Sequence, residues 1–341
     1  MTPLSSSTNA EPRKTRRRAP LALATLVAGA SLVLTACGGG DISSGTPSAP
    51  GSGGGSAQAC TGTMKMAVNP WVGYEASAYV VGEVAKQKLG CEVEYQNLKE
   101  EVSWQGFGSS VDVVIEDWGH PDLEKKYVES ASPTAVMDGP NGNVGQIGWF
   151  VPPWMAEKYP DITDYKNLNK YASMFRTTES GDQGQLLDGD PSYVTNDEAL
   201  VKNLDLDYKV VYAGSEAALI TAFRQAEQQK KPLIGYFYSP QWFLSEVKLA
   251  KVNLPPYVDG CDEDPAEVAC DYASTPLQKV VSKEFADSGS PAYEVVHKFS
   301  WTNDDQNVVA RYIAEDKMAP EEAADKWISE NPDKVKGWLP S

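Results

Sequence analysis

Short apolar runs alternate along the chain with segments in which apolar residues recur at helical spacing. The short runs predict buried strands at residues 64–68, 92–95, 111–115, 147–151, 210–212 and 233–238. The helical spacing predicts helices at about residues 75–89, 155–158, 215–228, 277–285, 305–315 and 320–329. Alternation of this kind indicates an α/β fold whose sheet is at least partly parallel.

Two segments look like connections between halves of this fold. Residues 139–148 are rich in glycine, and residues 251–256 form an extended segment with two prolines. A chain that leaves one α/β lobe, builds a second and returns to the first is typical of a hinged binding protein. We therefore predict one lobe at residues 62–146 and 254–341 and another at 147–253, with a ligand cleft between them near the carboxyl ends of strands.

The first sixty residues differ from the rest. Basic residues within 13–18 precede a short apolar run at 19–34, and Leu34-Thr35-Ala36-Cys37 then matches a lipoprotein cleavage box. Residues 1–36 are therefore predicted to be a signal peptide, and residues 37–61, rich in Gly and Ser, a flexible tether. The apolar run is shorter than the roughly 20 residues of a spanning helix, so lipid on Cys37 would hold the protein at the outer face of the cytoplasmic membrane. A plain signal anchor is the alternative.

The charge balance excludes one class of partner. The 341 residues include 30 Lys+Arg against 47 Asp+Glu, a formal net charge of −17, whereas nucleic-acid binders need a basic surface. The two histidines, His120 and His297, leave little scope for metal sites or proton transfer built on histidine. We predict no metal and no cofactor.

Four cysteines remain once Cys37 is assigned to lipid, and an even number in an exported chain indicates disulfides. Cys60 and Cys91 each precede one of the first two predicted strands, which a right-handed βαβ unit often places side by side. Cys261 and Cys270 bracket an acidic loop. We predict the pairs Cys60–Cys91 and Cys261–Cys270. A zinc site is the alternative, without a Cys-x-x-Cys spacing to support it.

Aromatic residues stand where strand-end loops are expected. Trp71 and Trp118 follow the first and third predicted strands, Tyr193 precedes a helix, and Tyr238 and Trp242 end or follow strand 233–238. Rings that face one another across a cleft attract a cation through their quadrupoles, and quaternary ammonium groups are the best-known ligands of this kind. Core packing is the alternative for each ring taken alone.

Polar residues beside Trp118 are further candidates. Glu116 and Asp117 precede it and would strengthen the binding of a choline-like cation, or would otherwise be solvated loop acids. His120 would lie behind the ligand contacts or at the surface.

Thr195-Asn196-Asp197-Glu198 matches a capping box at a helix start. The free N–H groups of such a start would suit the carboxylate of a zwitterionic ligand. The alternative is that the box only stabilises its helix.

An exported hydrolase is an alternative function. Ser245 and Lys248 match Ser-x-x-Lys, a pattern short enough to arise by chance, and the companion Lys-Thr-Gly is absent. The chain also lacks Gly-x-Ser-x-Gly, His-Glu-x-x-His and a phosphate loop.

Five short segments together resemble the substrate-binding proteins of ABC importers for glycine betaine, proline betaine and choline. The resemblance spans about residues 62–341 and rests on Val-Asn-Pro at 68–70 and on residues 111–118, 189–193, 235–242 and 337–338. It implies a two-lobe periplasmic-binding-protein-like fold (type II) and a protein that is not an enzyme. Such a protein captures a quaternary-ammonium compound, such as glycine betaine, proline betaine, choline or carnitine, and delivers it to an ABC permease and its ATPase. We expect it to be a monomer.

The resemblance also implies site residues. Three cage positions fall on Trp118, Tyr193 and Tyr238, and the backbone amides of Val194 and Thr195 would bind a ligand carboxylate. Tyr193 and Tyr238 stand where some relatives have tryptophan, which changes the size of the cage. Trp71 and Trp242 are additional candidates that the family pattern does not fix. A protein of the same fold for another small solute, such as an amino acid, is the alternative.

Overall fold

The computed structural model describes Cys60, residues 62–193 and residues 195–341. The predicted signal peptide, Cys37, the predicted tether apart from Cys60, and Val194 lie outside the described residues. Within the described part, no helix is long and apolar enough to cross a membrane.

Nine strands in this part of the chain form one mixed sheet, accompanied by twelve α-helices and four 3-10 helices. The strands are β1 (Thr63–Val68), β2 (Glu92–Asn97), β3 (Val113–Asp117), β4 (Ala135–Val151), β5 (Gly184–Asp188), β6 (Tyr208–Tyr212), β7 (Gly235–Ser239), β8 (Ala250–Lys251) and β9 (Ser274–Ser282). The α-helices are α1 (Val72–Leu89), α2 (Glu100–Gln105), α3 (Pro121–Tyr127), α4 (Pro153–Lys158), α5 (Leu168–Tyr171), α6 (Asp197–Asn203), α7 (Glu216–Gln229), α8 (Lys283–Asp287), α9 (Pro291–Lys298), α10 (Asn303–Ala314), α11 (Pro320–Glu330) and α12 (Pro332–Trp338). The 3-10 helices are Pro160–Thr163, Tyr165–Asn167, Ala172–Phe175 and Trp242–Ser245.

The sheet contains two groups of parallel strands. β2, β1 and β3 form the first group, and β7, β5 and β6 form the second. β9 and β4 lie between the groups, and each runs antiparallel to its neighbours in the sheet. The mixed sheet and its helices confirm the predicted α/β class.

β4 connects the two parallel groups. Its first part pairs with β9 as far as Gln146, and from Gln146 onward it pairs with β7. The glycine-rich segment 139–148 therefore lies inside a continuous strand, whose register shifts on either side of Pro140. The proposed lobe limits, 62–146 with 254–341 and 147–253, stay a prediction.

Helix α1 covers the first parallel group. Tyr74, Val80, Val81 and Val84 are fully buried, and the helix packs against β1, β3, α10 and α11. It ends at Gly90, whose φ of 69° is the left-handed conformation that glycine adopts without steric cost. A second apolar cluster, which includes Trp149, Met155, Leu186 and Leu200, supports the second group.

Two disulfides are present, and they are the predicted pairs. Cys60 is bonded to Cys91 and Cys261 to Cys270, with Cα atoms 5.1 and 6.4 Å apart. The four thiols are therefore not zinc ligands. The first bond joins the amino ends of the neighbouring strands β1 and β2.

The predicted helix at residues 277–285 is wrong. Residues 274–282 form β9, and a short helix, α8, follows it. Leu277, Val280 and Val281 have helical spacing, but β9 lies between β3 and β4, so both of its faces are buried. A strand buried on both faces lacks the alternation that would distinguish it from a helix.

Two glycines of β4 allow the packing of this strand to be tested. Gly142 has a φ of +92°, and a Cβ there would lie 2.2 Å from the carbonyl oxygen of Trp301, whereas Gly139 has a φ of +83° and open space. Gly142→Ala should lower the free energy of unfolding by more than about 2 kcal/mol, because it adds overlap to strain. Gly139→Ala, the matched control, should cost only about 1 kcal/mol. Urea denaturation measures both losses, and equal losses would contradict the role of the Trp301 contact.

Candidate ligand-binding site

The carboxyl ends of the parallel strands surround one cavity. Its lining residues are Trp71, Glu100, Trp118, His120, Ile147, Tyr193, Tyr236 and Tyr238. All of these except Ile147 of β4 lie in or shortly after strands of the two parallel groups. Both groups of strands therefore contribute to a single site, as is usual for ligand sites in α/β sheets.

One buried carboxylate orients the two tryptophans. Oε1 of Glu116 accepts hydrogen bonds from Nε1 of Trp71 at 2.9 Å and from Nε1 of Trp118 at 3.0 Å. Its Oε2 accepts from the hydroxyl of Ser77 at 3.0 Å and from the side-chain amide of Gln306. Burial raises the pKa of Glu116, and the hydrogen bonds oppose that rise. Glu116 thus supports the tryptophans from behind and does not line the cavity.

Strand β7 supplies two rings because alternate residues of a strand point to the same face. The ring centroids of Tyr236 and Tyr238 are 5.9 Å apart. Tyr238 meets Trp118 edge to face at 5.6 Å, and Tyr236 lies 6.2 Å from Tyr193. Burial raises the pKa of all three tyrosines well above the usual value, so the phenols are neutral. The cavity is lined by uncharged aromatic faces.

Tyr193 completes the ring set from the loop between β5 and α6. Its ring meets Trp71 edge to face at 5.7 Å, and its hydroxyl donates to the carbonyl oxygen of Pro70 at 3.2 Å. The loop after β5, a strand of the second parallel group, thereby contacts the loop after β1, a strand of the first parallel group.

Two buried aspartic acids hold the Tyr193 loop. Asp188 ends β5 and Asp197 begins α6, and both side chains are buried. Burial and the nearby Asp188 raise the pKa of Asp197 well above its usual value, although Asp197 also accepts from Nε1 of Trp149 at 2.6 Å and from the hydroxyl of Tyr272 at 2.8 Å. A proton retained on Asp197 lets the two acids bracket the loop without repulsion.

The predicted capping box at Thr195 is wrong. Helix α6 has Asn196 as its N-cap, without a side-chain cap. The hydroxyl of Thr195 instead donates to Oδ2 of Asp188 at 3.1 Å, because this buried acid competes for it. Thr195 therefore helps to hold the loop.

His120 forms the polar wall of the cavity. Its Nδ1 lies 2.7 Å from Oδ1 of Asp117, and its Nε2 lies 3.3 Å from Oε1 of Glu100. Burial disfavours the imidazolium, but Glu100 and Asp117 outweigh burial and raise the pKa of His120 to about 9. His120 is therefore protonated at neutral pH. Asp117 also accepts from the backbone N–H of Gly119 at 3.1 Å, which fixes the turn after Trp118.

Not all of the sequence candidates line the cavity. Trp71, Trp118, His120, Tyr193 and Tyr238 do, whereas Glu116 and Asp117 lie behind them.

Trp242 and Ser245 lie apart from this site. Trp242 is buried in the last 3-10 helix against Phe243 and does not line the cavity. The hydroxyl of Ser245 donates to the carbonyl oxygen of Trp242 at 2.7 Å, within the same helix.

Sequence reasoning missed three lining residues, Tyr236, Glu100 and Ile147. Tyr236 was detectable, since it is two residues before Tyr238 in one predicted strand and must share its face. Glu100 follows β2, another parallel strand, so its position at a carboxyl end was a usable signal.

The raised pKa of His120 predicts a pH-dependent stability. A pKa raised on folding contributes stability that is complete below the ordinary value of about 6.5 and is lost as the pH rises through about 9. Wild type should therefore exceed His120→Gln in unfolding free energy by at most about 3 kcal/mol at pH 6, with a smaller difference at pH 9.5. Denaturation at several pH values measures this difference.

A constant difference between wild type and His120→Gln across this range would contradict a protonated His120. As an independent measurement, His297→Gln leaves one imidazole, so its NMR titration reports His120 alone.

Comparison with known proteins places the site in a family. Residues 62–330 match the substrate binding domain of ABC-type glycine betaine transport systems. The trimethylamine N-oxide-binding protein of Pelagibacter ubique is 25% identical over 288 residues, which cover 76% of this chain and 85% of the relative.

Two solved structures share the fold. Lactococcal OpuAC complexed with glycine betaine has a TM-score of 0.64 at 23% identity, over 82% of this chain and 99% of the other. An ABC-transporter choline-binding protein complexed with choline has a TM-score of 0.67 at 18% identity, over 81% and 91%. They confirm the predicted periplasmic-binding-protein-like fold. Because the family match covers most of the described residues, the chain belongs to the substrate-binding domains of ABC-type glycine betaine transport systems.

Proposed function

We propose that the cavity captures a quaternary-ammonium compound, which the protein delivers to its ABC importer. Proteins of this family bind such ligands, act outside the cytoplasmic membrane and work with an ABC importer. The observation that carries the proposal is that five aromatic rings, those of Trp71, Trp118, Tyr193, Tyr236 and Tyr238, line one cavity. A desolvated cation among several ring faces gains about 2 kcal/mol or more.

The lining favours a cation over an anion. The three tyrosines are neutral, so they offer π-faces without a competing charge. At the polar wall, the carboxylates of Glu100 and Asp117 pair with the imidazolium of His120.

Several ligands fit the same recognition chemistry. Glycine betaine, proline betaine, choline and carnitine each carry a quaternary ammonium group. The relative that binds trimethylamine N-oxide adds a smaller trimethylated candidate. For a betaine, we propose that the backbone amides of Val194 and Thr195 receive the carboxylate. An amino acid or another small solute is the competing ligand class.

Mutation of one cage ring tests this function. Choline and glycine betaine should raise the melting temperature of wild type and quench its tryptophan fluorescence. Trp118→Leu keeps an apolar side chain but removes the π-face, so it should weaken choline binding at least tenfold. Isothermal titration calorimetry measures the affinities. Trp242→Leu is the matched control, because Trp242 is a buried tryptophan outside the cavity, and its affinity should stay within about twofold of wild type.

Two results would count against the proposal. If glycine betaine, choline, carnitine, proline betaine and trimethylamine N-oxide all fail to bind wild type below millimolar concentration, the ligand class is wrong. If Trp118→Leu binds choline as tightly as Trp242→Leu does, the cage lies elsewhere. A response to amino acids alone would support the competing class.

We also propose that the mature protein is a monomer held at the outer face of the membrane by lipid on Cys37. Replacement of the sulfur in Cys37→Ser removes the atom that forms the thioether, so the variant should leave the membrane fraction. Ser43→Ala, in the same predicted tether, is the control and should stay membrane-bound. Cell fractionation with immunoblotting measures both, and a membrane-bound Cys37→Ser protein would contradict the lipid anchor.

A further inference from the structure

Helix α1, which follows β1, is capped by a residue of helix α7, which lies between β6 and β7 in the chain. Its N-cap residue, Trp71, makes no side-chain cap. The carboxylate of Glu216, the first residue of α7, accepts instead from the backbone N–H of Val72 at 2.9 Å, across 144 residues of sequence. Glu216 is 9% exposed. An eighteen-residue helix thus has a carboxylate at its positive end that its own loop does not supply.

The same carboxylate holds a ring of the cavity. Oε1 of Glu216 accepts from the hydroxyl of Tyr238 and, at 2.6 Å, from the side-chain amide of Gln241. Val72 directly follows Trp71, so Glu216 links ring-bearing segments on the two sides of the site. The hydrogen bond from Tyr193 to the carbonyl oxygen of Pro70 joins the same two sides of the site, two residues before Val72.

We propose that Glu216 is a positioning residue that latches the two sides of the site together around the ligand. The proposal rests on the proposed function and on the two predicted lobes, 62–146 with 254–341 and 147–253, which would close on a ligand. When the lobes separate, Val72 and Glu216 part, and α1 loses its cap. Closure restores the cap on a carboxylate that also holds Tyr238 within the same proposed lobe.

Neighbouring charges explain why the latch is reversible. Burial and then the charge of Glu216 raise the pKa of Glu75, which lies on the first turn of α1. Glu216 therefore gains from the helix end but is opposed by Glu75 and by its own burial. Such a balance suits a contact that forms and breaks in each transport cycle.

Binding kinetics distinguish a latch from a merely structural contact. In Glu216→Ala, the dissociation rate constant of choline should rise about tenfold, since the hydrogen bond to the backbone N–H of Val72 is lost from the closed state alone. The association rate constant should stay close to wild type. Stopped-flow tryptophan fluorescence measures the two rate constants.

The chain offers a matched control on the same helix. Glu227 of α7 also accepts from a backbone N–H at the start of another helix, that of Trp154 in α4, at 3.4 Å. Neither residue lines the cavity, and both lie in the proposed lobe 147–253. Glu227→Ala should therefore leave both rate constants within about twofold of wild type.

A double-mutant cycle tests the link to the cage. Tyr238→Phe keeps the ring and removes the hydroxyl that Glu216 accepts from. It should raise the dissociation rate constant less than Glu216→Ala does. The double variant should dissociate no faster than Glu216→Ala, because both changes act through one carboxylate. Fully multiplicative effects would overturn the coupling.

Small-angle scattering separates failure of the latch from failure of the ligand class. Ligand-free Glu216→Ala should have a larger radius of gyration than wild type and Glu227→Ala, because its closed form is less populated. If wild type binds none of the compounds, the proposed ligand class is wrong. The comparison of radii of gyration then tests the role of Glu216 without any ligand. Unchanged radii together with an unchanged dissociation rate constant would overturn the latch.

Discussion

Two tryptophans from different loops share one cavity wall because a single carboxylate accepts both of their indole N–H groups. An indole N–H buried without an acceptor costs about 1–3 kcal/mol, and a buried carboxylate is costly unless its oxygens are hydrogen-bonded. Glu116 gives both indoles an acceptor, since its Oε1 accepts from Trp71 and Trp118. Its Oε2 accepts from Ser77 and Gln306, so both carboxylate oxygens are hydrogen-bonded. Tyr193 packs edge to face against Trp71, and Tyr238 packs edge to face against Trp118. The shape of the cavity therefore depends on a carboxylate that does not line it.

The sheet explains how distant segments reach this cavity. Within each parallel group, the loops that follow the strands emerge at one edge. The antiparallel strands β9 and β4 bring the two groups together, and β4 itself pairs on both sides. Side chains can therefore change at the loop ends without disturbing the paired backbone. This separation of scaffold and site is consistent with similar proteins that bind trimethylamine N-oxide, glycine betaine and choline.

The sequence predicted features that depend on local pattern and missed those set by distant contacts. The first strand, α1, α7 and both disulfides followed from periodicity and cysteine placement. β9 was taken for a helix because burial on both faces removed its alternation. Thr195 was assigned to a cap because its competitor, Asp188, belongs to a neighbouring strand end. Trp242 and Trp118 both follow predicted strands. Only the packing of the chain shows that Trp118 lines the cavity and Trp242 does not. The link from Glu216 to Val72 spans 144 positions and left no local trace.

The disulfide Cys60–Cys91 has a mechanical consequence. It lies at the amino ends of β1 and β2, whereas the cavity lies at the carboxyl ends of these strands. Any chain that precedes Cys60 is thus joined to the domain at the edge away from the ligand. A force on that chain reaches β1 directly and β2 through the disulfide. The backbone hydrogen bonds of β1 therefore do not bear it alone. A load applied at Cys60 is therefore shared by β1 and β2 at the edge of the sheet opposite the cavity.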